Sequence, residues 1–217
     1  MGDLTSFAPS YGHFRMTESY FSSTSPCPTV LTRLIDYDVR LAHPDDLPAI
    51  TAIYNQNIAS KRATADLLPV TVDSRQAWFD AHHNDPKRPI YVLCDALSKI
   101  VAWGSFSDLY ARPAYHISSE ISVYIHQDAQ KKGIGAALVG WMLQQAPSLG
   151  LHHVVALIFA HNTPSIKLFN KLGFSQWGYM PRVCDMQGFY ADVVMLGRSV
   201  SDIADTGSAV MPPSSNL

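Results

Sequence analysis

Gln130 to Trp141 reads QKKGIGAALVGW, a segment that changes from polar to apolar across two glycines, Gly133 and Gly135. Leu138, Trp141 and Met142 recur at helical spacing, so a helix is under way at this point, and a glycine in its first turn costs roughly 0.5–1 kcal/mol relative to alanine. Directly upstream, SSEISVYIH reads as a strand. A glycine pair between a strand and a helix has two physical uses: a tight turn, or backbone N–H groups left bare so that an anion can approach the helix N-terminus. Two well-known phosphate motifs do not fit. A dinucleotide-binding G-x-G-x-x-G needs Gly or Ala at position 138, where Leu138 stands, and the GK[ST] of a P-loop is absent.

The rest of the chain supplies the same mixture of elements. DYDVRLA (36–42) alternates like a strand. HPDDLPAITAIYNQNI follows with apolar residues Leu47, Ile50, Ile53, Tyr54 and Ile58 at helical spacing, and Asp45 and Asp46 suit the positive helix start. VDSRQAWFDAHH predicts a second helix, capped by Asp73 or Ser74, with Ala77, Trp78 and Ala81 along one face. PIYVLCDA and SKIVAWGSFSD pair as a hairpin, and LHHVVALIF is a strand rich in β-branched residues. A short helix from about Thr163 to Leu172 ends at Gly173, and FSQWGYM and YADVVMLGR close the order β-α-α-β-β-β-α-β-α-β-β. This is a mixed α/β domain over 36–200. Residues 1–35, rich in Ser, Pro and Tyr, and 201–217 lack either period and read as poorly ordered tails.

Composition narrows the partners. Sixteen Lys and Arg against eighteen Asp and Glu give a net charge of −2 with no long run of either sign, so no nucleic-acid footprint is present and a small molecule is expected instead. Three cysteines, Cys27, Cys94 and Cys184, at wide spacing fit neither a disulfide framework nor a zinc site and suggest a reducing, cytoplasmic setting. No apolar leader or spanning stretch is visible, so no membrane partner is expected. MGDLTS fits the loose myristoylation pattern, but Asp3 and the lack of a basic cluster argue against an anchor. The pairs His82-His83 and His152-His153 lack further ligands at metal-like spacing, and no metal is expected.

What remains at the glycines is Q-x-x-G-x-G/A, formed by Gln130, Gly133 and Gly135-Ala136, with NTPSIKLFNKLGF downstream. Here the chain resembles the GCN5-related N-acetyltransferase superfamily, over about Tyr37 to Arg198. Asn162, Ser165, Gly173 and Phe174 stand at the matching places of its second motif. IYN (53–55), RQAWF (75–79), ARPAY (111–115) and EISVY (120–124) are similar to segments of the phosphinothricin and methionine sulfoximine N-acetyltransferases within it.

The resemblance implies a mostly antiparallel central sheet with flanking helices, and acetyl-CoA as the acetyl donor. Its pyrophosphate is expected on the backbone of Lys131, Lys132, Gly133, Ile134, Gly135 and Ala136. Its pantetheine arm is expected along Val123, Tyr124 and Ile125, and Asn162 is expected to contact it or to cap the short helix. A neutral amine must attack, so a base is needed, and Glu120 matches the family's catalytic glutamate. Arg112 and Tyr115 are where recognition of an acidic substrate end is implied, with Ile121 and Ser122 beside Glu120. The implied activity is direct acetylation of the amino group of a small amino acid analogue, and a homodimer is also implied. Alternatives are another acceptor, such as a polyamine or a peptide N-terminus, and an acyl-CoA-binding module without turnover.

The sequence departs from that pattern where many members carry a tyrosine, or the phosphinothricin type a histidine, and this chain has Phe169. Phenylalanine cannot protonate a departing thiolate, which leaves Tyr124, Tyr190, His161 or solvent. Ala191-Asp192 replaces a His-Asp pair, and Ala65 stands near the place of an aromatic, so a reshaped, roomier pocket is expected.

Overall fold

Arg40 and Asp46 tie the first strand to the first helix: the guanidinium donates to both carboxylate oxygens at 2.6 and 2.9 Å, and the His43 N–H adds a third bond at 2.7 Å. Asp46 therefore does more than complement the helix start. The computed structural model describes residues 36–201. The two expected tails and Cys27 lie outside the described residues, Ser201 excepted. The elements are β1 (Asp38–Leu41), α1 (Leu47–Ile58), α2 (Val72–His83), β2 (Ile90–Cys94), β3 (Ile100–Asp108), β4 (Ser118–Ile125), α3 (Ile134–Gln145), β5 (His153–Phe159), α4 (Thr163–Lys171), β6 (Ser175–Asp185) and β7 (Tyr190–Ser199). No helix among the described residues is long and apolar enough to cross a membrane.

The strands form one sheet in the order β1-β2-β3-β4-β5-β7-β6. Neighbours are antiparallel except β4 and β5, which are parallel. One face packs Leu138 and Met142 of α3 and Phe169 of α4 onto Phe106, Ile121, Val154 and Leu196. The other packs Ile50, Ile53 and Tyr54 of α1 and Phe79 of α2 onto Val92 and Trp103. Alternation along β4 sends Ile121, Val123 and Ile125 to the α3 side and Tyr124 to the α1 side. Glu120 and Ser122 share the Tyr124 face by the same period of two.

Two local expectations are corrected. Thr71 caps α2, not Asp73 or Ser74: its hydroxyl accepts from Ser74 N–H at 3.1 Å, and the Ser74 hydroxyl accepts from Thr71 N–H at 3.1 Å. This reciprocal box moves the buried stripe of α2 to Phe79 and His82, leaving Ala77 and Ala81 exposed. The β6 strand also continues past Met180 to Asp185. A proline is tolerated at the sheet edge, and the ladder is interrupted between Met180 and Cys184, where Arg182 has φ 54° and donates its N–H to Asp192 at 2.7 Å.

Candidate active site

β4 and β5 run side by side for three residue pairs, Ser118 with His153, Ser119 with Val154 and Glu120 with Val155, and then diverge. Beyond that point β4 pairs only with β3 as far as Ile125, and β5 only with β7 as far as Phe159. Each strand therefore turns a row of main-chain N–H and C=O groups toward a gap in which neither has a partner strand. The gap opens into a cavity of about 470 Å³. Glu120 to Tyr124 form one wall and Ala156 to Phe159 the other; Arg62 to Ala65, from the loop after α1, cover one side, and Met180, Val183 and Cys184 of β6 line another.

Glu120 sits at the apex. Its carboxyl has no hydrogen bond or ion pair among the described residues, and burial raises its pKa above the ordinary glutamate value. A carboxylate held this way gains by taking up a proton, which is what a base at the site must do. Tyr124, further along the same face, is locked by rings: Trp103 stacks on it at 4.7 Å and Tyr54 meets it edge-on at 4.9 Å. Arg75, from RQAWF, stacks over Trp78 at 3.8 Å and over Tyr54 at 4.7 Å, joining α2 to α1 behind this group. Burial, with Tyr54 adding in the same direction, raises the Tyr124 phenol well above its ordinary pKa, so it keeps its proton. Its hydroxyl donates to the Ala63 carbonyl at 3.4 Å.

At the other end of β4 the two glycines separate in function. Gly133 is not inside the helix; it caps α3 from the left-handed region at φ 80°, just after Lys131 at φ 60°. Turns of this kind point successive N–H groups into one concavity. The first backbone bond of α3 runs from Ala137 N–H to Gly133 C=O at 3.1 Å. The amides of Gly133, Ile134, Gly135 and Ala136 donate to no main-chain carbonyl among the described residues, as expected of a helix start without a side-chain cap. Gly135 is inside the first turn, where a Cβ would come within 3.2 Å of Leu168 Cδ1 and 3.7 Å of Ile125, so its smallness sets how closely α3 lies to α4 and β4.

Asn162 serves both the helix and the loop. Its Oδ1 accepts from Ser165 N–H at 3.3 Å, capping α4, while its Nδ2 donates to the Arg62 carbonyl at 3.0 Å. It lines the cavity together with Ser165 and Phe169. Of the three side chains that could protonate a thiolate, Tyr124 lines the cavity whereas Tyr190 and His161 do not. Ile121, Ser122 and Val123 line it with Glu120. Arg112 and Tyr115 are not brought to it: both are exposed on the connection between β3 and β4, where Tyr115 packs edge-on against Tyr110 at 4.9 Å. The walls from Arg62 to Ala65 and from Met180 to Cys184 escape a local reading, because neither segment carries a periodic or motif signal; the departure at Ala65 is the one hint.

Comparison with known proteins agrees with this geometry. The profile of the acetyltransferase (GNAT) family matches residues 50–174. The protein YwnH of Bacillus subtilis, provisionally named a phosphinothricin acetyltransferase, is 45% identical over 163 residues, 75% of this chain and 99% of that protein. An L-methionine sulfoximine/L-methionine sulfone acetyltransferase of Pseudomonas aeruginosa is 35% identical over 158 residues, 73% of this chain and 91% of that protein. The crystal structure of a GNAT superfamily phosphinothricin acetyltransferase from Sinorhizobium meliloti in complex with AcCoA has a TM-score of 0.74 at 25% identity, covering 83% of this chain and 97% of that one. With a splayed β4–β5 pair, a glycine-started α3 and relatives matched nearly end to end, the chain belongs to the acetyltransferase (GNAT) family and is an N-acetyltransferase.

Proposed function

We propose that this enzyme transfers the acetyl group of acetyl-CoA directly to the amino group of a small amino acid analogue of the phosphinothricin or methionine sulfoximine type. The observation that carries the reading is Glu120, a half-buried carboxyl without a hydrogen-bond or ion-pair partner among the described residues, at the apex of the gap. The named substrates of the relatives support the choice of acceptor.

Acetyl-CoA supplies the acetyl group as a thioester. The unpaired amides from Gly133 to Ala136 suit its pyrophosphate, reinforced by Lys131, Lys132 and the helix dipole. The open edge of β4 at Val123, Tyr124 and Ile125 offers main-chain groups to the amides of the pantetheine arm, and one N–H there can polarise the thioester carbonyl. Glu120 takes a proton from the amine, with Ile121 and Ser122 beside it. Tyr124, which lines the cavity where Tyr190 and His161 do not, stands nearest to supply the leaving thiolate with the proton that Phe169 cannot give, although its raised pKa makes it a weak acid for that step. A homodimer is supported by the exposed aromatic side chains of the edge strand β6, Trp177 and Tyr179.

The test is thiol release from acetyl-CoA across phosphinothricin, methionine sulfoximine, methionine sulfone, a polyamine and a peptide N-terminus. Turnover with the amino acid analogues is expected. Silence with all of them, against turnover of the polyamine or peptide, reassigns the acceptor; tight acetyl-CoA binding with no turnover at all makes the protein a binding module.

A further inference from the structure

A primary ammonium carries three N–H donors, and the carboxyl of Glu120 satisfies only some of them. Its partner across the antiparallel β3–β4 pair is Ser107. Directly opposed residues project on the same face with Cβ atoms about 4.5–5.5 Å apart, so one nitrogen can reach both a carboxylate at 120 and a hydroxyl at 107. Ser107 is half-buried and stands beside Glu120, just outside the residues that line the cavity.

What Ser107 offers depends on where its own proton points. His82 Nε2 lies 3.4 Å from Ser107 Oγ, and His82 Nδ1 lies 2.6 Å from the main-chain oxygen of Arg88. A carbonyl oxygen only accepts, so Nδ1 carries the ring proton and Nε2 of the neutral ring is an acceptor. Burial holds the imidazole neutral by lowering its pKa; Arg75 acts in the same direction, and the Arg88 carbonyl, Asp85 and Asp108 act against it.

The arrangement is rigid. Arg88 Nε donates to Asp108 at 2.7 Å, its guanidinium also donates to the carbonyls of His116 at 3.1 Å and Ser118 at 3.3 Å, and Trp78 packs edge-on against the His82 ring at 4.9 Å. The Ser107 hydroxyl therefore donates to His82 and leaves its lone pairs for the side of the sheet where Glu120 stands.

We propose that Ser107, with its hydroxyl oriented by His82, is a second acceptor for the ammonium group of the substrate beside Glu120. His82 is a positioning residue in this scheme. The inference rests on the reading of Glu120 as the base. One N–H is held at Ser107 while Glu120 removes another proton, so the nitrogen lone pair acquires a defined direction for attack.

Steady-state kinetics of wild type, Ser107→Ala, Ser107→Thr, His82→Asn, the double variant and Glu120→Gln test it on the best amine of the substrate panel. Ser107→Ala is expected to raise KM for the amine about 10- to 100-fold, the usual weight of a hydrogen bond to a charged group, with KM for acetyl-CoA and Tm unchanged. Ser107→Thr restores the hydroxyl and returns toward wild type. His82→Asn keeps an N–H for the Arg88 carbonyl but has no acceptor at the Nε2 position, so it mimics Ser107→Ala, and the double variant is no worse than either single one. An unchanged amine KM in Ser107→Ala, with Glu120→Gln inactive, overturns the role of Ser107 and leaves the base in place. Additive losses in the double variant overturn the coupling to His82. If Glu120→Gln turns over like wild type, or if no amine is acetylated, both readings fall. Should His82→Asn not fold, the two Ser107 variants decide alone.

Discussion

Glu120 and Val155 are the last residues of β4 and β5 to face each other across the sheet, and the cavity exists because the two strands diverge immediately after them. Both strands remain anchored on their outer sides, Ile125 against Ala102 and Phe159 against Val193, so the gap is held open by the sheet itself. Glu120 is thereby partly sheltered while facing a ligand-sized space, and the burial raises its pKa.

Replacing Glu120 by Gln is expected to lower kcat by about 10²–10⁴, the usual range for a general base. Stability moves the other way. A carboxyl whose pKa is raised by folding favours the folded state most when protonated, and that advantage is lost as pH rises through the raised value. Glu120→Gln should therefore melt above wild type at about pH 8 and converge with it near about pH 4, with about 2–4 °C for each kcal/mol. Identical Tm differences at both pH values would place the carboxyl in open solvent.

The two glycines should fail differently. Gly133→Ala forces a side chain into the left-handed region at φ 80° and is expected to cost about 1–2 kcal/mol in denaturant unfolding. Gly135→Val pushes on Leu168 and shifts the start of α3, raising KM for acetyl-CoA while KM for the amine holds. A Gly135→Val enzyme with unaltered acetyl-CoA KM argues that the α3 start does not hold the donor.

Asn162→Ala removes a helix cap worth about 1 kcal/mol and also frees the Arg62 carbonyl. Asn162→Asp separates the two roles, since a carboxylate still caps but cannot donate. We expect near wild-type stability for Asn162→Asp together with faster hydrogen exchange around 61–65. Protection equal to wild type in that loop contradicts the clamp.

Asp46→Asn should destabilise by about 1.5–3 kcal/mol, because it weakens a charge-assisted bidentate bond. Burial pushes the Asp46 pKa up, but the Arg40 bond and the His43 N–H together hold it below the ordinary value. Its stabilisation is complete above the ordinary carboxyl pKa and is lost as pH falls through the lowered one, so variant and wild type should converge in strongly acidic melts.

Much of the fold is legible locally. The period of 3.6 places α2 at 72–83, and alternation places β4, because both depend on residues within one or two turns of each other. The cap of α2 needs backbone angles as well, which is why Thr71 displaces Asp73 and Ser74. The edge segment from Pro181 to Asp185 is hidden because a proline and a left-handed Arg182 break the alternation that marks a strand.

The candidate site divides along the same line. Gly133, Gly135, Asn162 and Glu120 stand in short contiguous motifs, so the family is readable from the order of residues alone. Which side chains meet across the gap depends instead on the folded chain. Arg62, Val183 and Cys184 reach the cavity from segments far apart in the chain, and the approach of His82 to Ser107 requires α2 to lie over β3. Local periodicity cannot encode such contacts, since they depend on how far β4 and β5 pair before diverging and on how closely helices pack on the sheet.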